Sequence, residues 1–267
     1  MKQQTITAGI IIHNEAKTLE RCLKSLVGVV DEIIVIHDGD CEDDSLKIAE
    51  RYADKVIVRP YVGCCEGHYN FLKKIAKEKW LLLIDGDEYL SEGLAGNLNS
   101  LTSSEDISAY EVYWPTSYHG RELHLGLDKS YKRILFRKSD VTFEPIPHGK
   151  RFVKGKVKRI DYPLIHKPEW DLFDKAQLSR KFAWAPVAAK IIIANNDVVK
   201  RPCVYLIKSI VWPIGYFIYL YILRLYIIGG SIGLNYAIFY SRYNFLINWN
   251  LYKLTKNTRL LRKQRNN

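Results

Sequence analysis

Strand-like and helix-like periods alternate through the first ninety residues, and this alternation restricts the chain more than any other feature. ITAGIII (6–12), EIIVIH (32–37), KVIVR (55–59) and WLLLI (80–84) are short apolar runs. Between them, Leu19, Cys22, Leu23 and Leu26, then Leu46, Ile48, Ala49 and Tyr52, then Phe71, Leu72, Ile75 and Ala76 recur at helical spacing. Asn14 is placed to cap the first helix. Such a series predicts a parallel sheet with right-handed crossovers, its strands apolar on both faces because helices cover both.

Two of the predicted strands run into acids. Asp38, Asp40, Glu42, Asp43 and Asp44 follow the second; Asp85, Asp87 and Glu88 follow the fourth. In open α/β sheets ligands bind beyond the carboxyl ends of the strands, where both clusters fall. Two carboxylates about 5 Å apart repel by roughly 3 kcal/mol at an effective dielectric of about 20, so the second cluster needs a counter-charge. A divalent cation supplies one, and aspartate oxygens with a phosphorylated ligand suit Mg²⁺ or Mn²⁺. The plainer readings are an Asp-Gly turn for the second cluster and a loop capping the next helix through Asp43 or Asp44 for the first. The first cluster fails the calcium-loop pattern, since Asp43 stands where glycine is needed and Ala49 where glutamate is needed. No GxGxxG, P-loop or GxSxG motif is present, which argues against dinucleotide, P-loop and serine-hydrolase chemistry.

Residues 110–166 follow a different pattern. AYEVYW, YKRILFRK, KRFVKGK and YPLIH read as shorter strands in mixed directions. Leu172 to about Asn195 reads as helix. The 267 residues carry 40 Lys+Arg against 29 Asp+Glu, a net charge of +11, and from Lys200 onward there are eleven basic residues and no acid. The first 199 residues are therefore neutral overall. The basic region is too rich in Ile, Leu, Tyr and Trp for a nucleic-acid tail, so the expected partner is an anionic membrane surface and not nucleic acid. Five cysteines without a CxxC pair, and an N-terminus without signal-peptide layout, fit a reducing, cytoplasmic setting and argue against zinc.

GIIIHNEAKTLERCLKSL, VDEIIVIHDGDCEDDSLKIAERY and WLLLIDGDEYLS together resemble a family 2 glycosyltransferase with the GT-A fold. They resemble the small bacterial branch that includes lipopolysaccharide-core β-glucosyltransferases, over about residues 5–170 and more loosely through 229–246. The resemblance implies a Rossmann-like α/β/α sandwich with a mostly parallel sheet in residues 1–170. A helical connector over 171–199 and membrane-associating helices over 200–267 would follow it. It also implies roles. His13, Asn14 and Glu15 line the nucleoside pocket, and Asp38 contacts the uracil or ribose. Asp85 lies near the ribose and the metal, Asp87 ligates the metal, and His166 approaches the diphosphate or metal. Arg133 lies near the donor or acceptor pocket; its plainer reading is an exposed sheet charge, and that of His166 a strand-end histidine.

One position departs from the pattern. Many relatives carry His-Glu where this chain has His148-Gly149. An inverting transferase needs a group to take the acceptor proton, and glycine cannot do so. Glu144 is the first replacement by sequence, with Asp128 and His148 as the others.

The resulting expectation is a metal-dependent inverting hexosyltransferase. It takes a nucleotide-sugar, a UDP-sugar by preference, and a lipid-linked or glycan acceptor, at the cytoplasmic face of the cell membrane. A sugar-nucleotide transferase is the enzymatic alternative, but HNEAKTLERCL lacks the glycines of its loop. A non-catalytic membrane adaptor that keeps the fold is the other, and Gly149 favours it.

The stretch 204–228 is interrupted by Lys208, Pro213 and Arg224, leaving fifteen residues between the charges. A span needs about 20, so monotopic or peripheral attachment is expected. Trp212, Tyr216, Tyr219, Tyr221 and Tyr226 suit the headgroup level. Tyr236, Tyr240, Tyr243, Ile247, Leu251 and Leu254 form one apolar face of a following helix.

Overall fold

The computed structural model describes residues 5–115, 117–118, 121–122, 129–145, 149–168, 175–194 and 201–265. The chain divides into two compact units, one reaching Glu169 without 123–128 and the other taking the remainder.

The first unit is a GT-A-like α/β fold. It begins β1 (Ile6–Ile12), α1 (Ala16–Lys24), β2 (Glu32–Asp38), α2 (Ser45–Glu50), β3 (Lys55–Arg59), α3 (Glu66–Ile75) and β4 (Trp80–Asp85). Next come β5 (Glu88–Leu90), α4 (Glu92–Thr102) and β6 (Ile107–Tyr113). A small hairpin of β7 (Ser117–Tyr118) and β8 (Arg121–Glu122) precedes β9 (Tyr131–Arg137), β10 (Val141–Phe143), β11 (Arg151–Val153) and β12 (Lys156–His166). Eight strands form one sheet in the order β3-β2-β1-β4-β9-β6-β12-β5. The pairs β3/β2, β2/β1, β1/β4 and β6/β12 are parallel, while β9 and β5 run against their neighbours.

The four expected strands are present, and β1 and β2 are buried at every residue. One face packs Ile10, Leu19, Leu23, Leu82 and Leu94; the other packs Ile34, Leu72, Leu81, Leu83 and Phe136. Each such side chain contributes about 1.5–3 kcal/mol by leaving water. Gly9 sits under α3 with no room for a side chain: a Cβ there would lie 2.1 Å from Leu72 Cδ2. Because Leu72 is itself fully buried, Gly9→Ala is expected to lower stability by about 1–3 kcal/mol, read from the urea midpoint.

The first helix starts differently from the expectation. Asn14 does not cap α1; it adopts φ 54°, a left-handed conformation that asparagine tolerates. Its Oδ1 instead accepts the Glu42 amide at 2.8 Å. Asp43 supplies the cap from the neighbouring loop, accepting Ala16 N through Oδ2 and Ser45 N through Oδ1, each at 2.9 Å. The acids after β2 thus largely build the scaffold.

In the second unit, α5 (Lys175–Ala194), α6 (Pro202–Ile218) and α7 (Gly230–Arg265) pack together. A π turn (Tyr219–Leu223) extends α6, and a 3₁₀ turn (Tyr226–Gly229) leads into α7. The chain reverses where Leu225 and Gly230 take positive φ of 59° and 58°. Much of the stripe expected to face lipid packs inward instead. Tyr236 and Tyr240 join Leu220 and Tyr226, while Ile247, Leu251 and Leu254 join Ala189 and Tyr205. Most of the exposed large apolar residues described in this unit belong to α6 and the following turn, among them Ile207, Ile210, Val211, Trp212, Ile222 and Ile228, while Val187 on α5 and Ile238 and Phe245 on α7 are exposed as well. Pro202–Leu223 is one helix of 22 residues, long and apolar enough to cross a membrane, and little of it is buried.

Candidate active site

The acidic turn sits at the carboxyl end of β4, next to the start of β9. Because β9 runs antiparallel between β4 and β6, its first residues reach the edge where β4 ends. This places Lys132, 47 positions along the chain from Asp85, among the carboxylates. Its Nζ donates to Asp85 Oδ2 at 2.5 Å and to Glu88 Oε1 and Oε2 at 2.7 and 2.8 Å. Glu88, fully buried, also accepts the Asp85 amide at 2.9 Å and the Trp114 indole N–H at 2.7 Å. The turn is therefore closed on itself by a network in which each Glu88 oxygen has two donors.

The charges follow from this arrangement. Desolvation pushes the Asp85 carboxyl up, but the Lys132 ammonium, helped by Arg151 and His166, more than offsets it and holds it below the ordinary carboxylate value. Burial wins at Glu88, whose carboxyl is raised. Desolvation lowers Lys132, yet Asp85 and Glu88 together raise it above a normal lysine, so it stays charged. Arg151, on β11, lies over the rings of Tyr69 and Phe136 at 5.4 and 5.9 Å. Lys132 and Arg151 carry no local mark in the sequence, and only the pairing of distant strands brings them here.

On the outer side of the turn, His166 Nε2 lies 3.1 Å from Asp87 Oδ2. The register of β12 against β5 sets this pair, with His166 opposite Glu88. The Asp87 carbonyl accepts the Lys167 amide at 3.0 Å, and the Trp114 ring lies 5.0 Å from the imidazole. A carboxylate oxygen beside an imidazole nitrogen is a donor set that Mn²⁺ accepts. Asp85, the third expected ligand, is shared with Lys132, and among the described residues no three such side chains already converge as a metal cluster. The fit is thus a two-residue site, Asp87 and His166, with Asp85 beside it; other oxygens would have to come from the nucleotide or water.

The expected nucleoside side is compact. His13 Nδ1–H donates to the Asp38 carbonyl at 2.6 Å, and its ring lies 5.2 Å from Tyr61. Asn14 N lies 3.3 Å from His37 Nε2, and His37 Nδ1 lies 2.9 Å from the Gly39 carbonyl oxygen, so the imidazole ties the two loops together. The Glu15 carboxylate lies over Gly86, where a Cβ would come within 2.0 Å of Glu15 Oε2.

Two of the expected site residues are engaged by protein partners. The Asp38 carboxylate is 5% exposed and is engaged by the protein. Oδ1 accepts Val62 N at 2.6 Å and pairs with His68 Nε2 at 2.8 Å, and Oδ2 accepts Gly63 N at 2.8 Å. A base or ribose contact would have to share oxygens already used to hold the 62–63 turn. Desolvation raises this carboxyl, but His68 and the two amides lower it further, leaving it below the ordinary value. Asp38→Asn should therefore cost about 1–3 kcal/mol at neutral pH, since hydrogen bonds to a charged acceptor are lost. A depressed carboxyl stabilises above its unfolded value and loses that contribution as the pH falls through its native one. The gap between wild type and variant should thus close below about pH 3.9, as followed by urea unfolding against pH.

Arg133 is the second of these. Consecutive strand residues face opposite ways, so it points away from Lys132. It pairs with Glu111 Oε1 at 2.8 Å, beside Arg159, as a sheet ion pair.

Glu144 stands where β10 leads into the turn before β11. Its amide donates to the Lys150 carbonyl at 3.0 Å, and its Oε2 accepts the Lys150 amide at 3.0 Å. Asp128 and His148 lie outside the described residues.

Residues 7–147 match the model of Glycosyl transferase family 2, more than half of the chain, and the protein belongs to that family. It is 36% identical over 110 residues to an uncharacterized glycosyltransferase of Rickettsia felis, covering 41% of this chain and 38% of that one. It is 31% identical over 96 residues to the glycosyltransferase SunS of Bacillus phage SPbeta, covering 35% of this chain and 22% of that one. The matched region thus spans well under half the length of these relatives. Among solved structures, a mycobacterial protein gives a TM-score of 0.48 at 13% identity, over 70% of this chain and 74% of the other. Glucosyl-3-phosphoglycerate synthase from Mycobacterium tuberculosis, in complex with Mn²⁺ and UDP-glucose, gives 0.44 at 16%, over 68% and 77%.

Proposed function

We propose that this protein is an inverting, metal-dependent glycosyltransferase that moves a hexose from a nucleotide-sugar, a UDP-sugar by preference, to a lipid-linked or cell-surface glycan. The observation that carries the reading is the Asp87–His166 pair, 3.1 Å apart beside the neutralised acidic turn, at the carboxyl edge of the sheet. Asp87 and His166, with Asp85, would hold Mg²⁺ or Mn²⁺; when bound, the ion supplies positive charge to the diphosphate leaving group. Glu144 takes the proton of the acceptor hydroxyl. The acceptor oxygen bonds to the anomeric carbon from one face while the bond to the diphosphate breaks on the other, inverting the centre. Trp114 and the buried Lys132–Glu88 pair hold the turn that fixes Asp85 and Asp87 during this step.

A thermal-shift panel of nucleotide-sugars with and without Mn²⁺ tests the donor. A ligand at a hundredfold excess over its Kd adds about 2.7 kcal/mol, and UDP-sugars with Mn²⁺ should give the largest rise. Equal responses to all nucleotides, or none to any, would remove the UDP-sugar assignment.

The membrane reading rests on the exposed apolar row of α6 and on the absence of acids after residue 199. Attachment at the cytoplasmic face would keep the enzyme where lipid-borne acceptors lie. The full chain should pellet with anionic vesicles, be partly released by high salt, and lose binding in an Ile222→Glu/Ile228→Glu double variant. Equal pelleting of that variant, or no pelleting of the wild type at low salt, would refute it.

A further inference from the structure

The Lys132 ammonium occupies a position between carboxylates that a metal would be expected to neutralise. It has three N–H donors, and the structure gives it three carboxylate oxygens, one on Asp85 and two on Glu88. Its side chain is 15% exposed, whereas the Asp85 side chain is 43% exposed. The ammonium is therefore held on the buried side of Asp85, whose side chain stays partly exposed.

We propose that Lys132 is an internal counter-cation that keeps the acidic turn in its binding shape without a metal ion and makes divalent-cation binding depend on the nucleotide diphosphate. This rests on the reading of the site as one for a nucleotide-sugar.

The reason is charge. Without Lys132, Asp85, Asp87 and the buried Glu88 would present a site whose repulsion a free dication relieves on entering. With Lys132 in place, bonded to Asp85 and to both oxygens of Glu88, much of that negative charge is already cancelled. A lone dication then gains little from Asp85 and is repelled by the ammonium beside it. A nucleotide diphosphate brings fresh negative charge and further oxygen donors, so cation and nucleotide each bind better with the other. That coupling is necessarily reciprocal. A lysine that only pins the fold would behave otherwise, because removing it would lower stability without strengthening metal binding.

The test is Mn²⁺ binding by EPR, with and without UDP, on the intact protein and on Lys132→Gln, Lys132→Met and Lys132→Arg. Wild type should bind Mn²⁺ weakly alone and at least about tenfold more tightly with UDP, within the usual range of coupling between sites. The two neutral variants should bind Mn²⁺ alone at least about tenfold more tightly than wild type, a charge effect of ordinary size for close groups. The enhancement by UDP should shrink correspondingly, and Lys132→Arg should resemble wild type. Gln retains a hydrogen-bond donor, which guards against loss of fold; circular dichroism checks each variant. Folded neutral variants that bind Mn²⁺ no more tightly than wild type overturn the proposal. So does wild-type Mn²⁺ binding that UDP leaves unchanged, a result that needs no variant. If wild type binds no UDP with or without Mn²⁺, the donor reading itself falls, which is a separate outcome.

Discussion

Asp87→Asn is expected to leave a folded protein whose hexosyl transfer is slowed at least about a hundredfold, because losing one key electrostatic group in a site costs about 3 kcal/mol of transition-state stabilisation. The side chain is well placed to isolate this effect. It is partly exposed and meets His166 rather than the core, so asparagine fits its space and loses only charge. The backbone bond from Lys167 N to the Asp87 carbonyl is untouched. Initial rates with saturating donor and a Mn²⁺ titration, alongside thermal melts, make the measurement. Turnover near that of wild type would sink the metal assignment to Asp87.

Glu144→Gln is expected to cost about 10²–10⁴-fold in kcat, the usual range for loss of a general base. Glutamine can still accept the Lys150 amide, so the hairpin end should persist and the fold with it. The comparison with Asp128→Asn and His148→Gln, at saturating donor, is informative for a specific reason. Glycine at 149 offers no proton acceptor, and these three side chains are the candidates nearest to it in sequence. If Glu144→Gln keeps full activity and one of the other two does not, the base belongs to that residue.

The sheet was legible because β1, β2 and β4 are short apolar runs, a pattern that parallel strands covered on both faces impose, and acids follow β2 and β4. The helix α4 was not. Its buried Leu94 and Leu98 stand among Gly93, Gly96, Asn97 and Asn99, which blur the helical period. Asp85 and Asp87 were visible as an acidic turn after a strand, while His166 was singled out only through the family resemblance; the sheet register sets His166 beside Asp87. Lys132 leaves no local mark: in YKRILFRK it looks like any strand-edge lysine, and its partners are set by β9 entering the sheet beside β4. Arg133, its neighbour on the strand, is engaged by Glu111, a pairing that only the sheet register sets. On α7, the stripe from Tyr236 to Leu254 was visible as an apolar face, but periodicity cannot say whether protein or lipid covers it. The structure answers that for most of it through α5 and α6.

The exposed apolar row of α6 bears on how any rate for this protein must be measured. A catalyst held at an interface meets a lipid-borne acceptor by lateral diffusion, so the relevant concentration is moles of acceptor per area of bilayer, not per litre. Diluting the acceptor with inert lipid at constant bulk amount should then slow turnover, whereas adding buffer should not. A soluble acceptor analogue would obey the opposite rule, and comparing the two regimes would show on which side of the aqueous boundary the sugar is handed over.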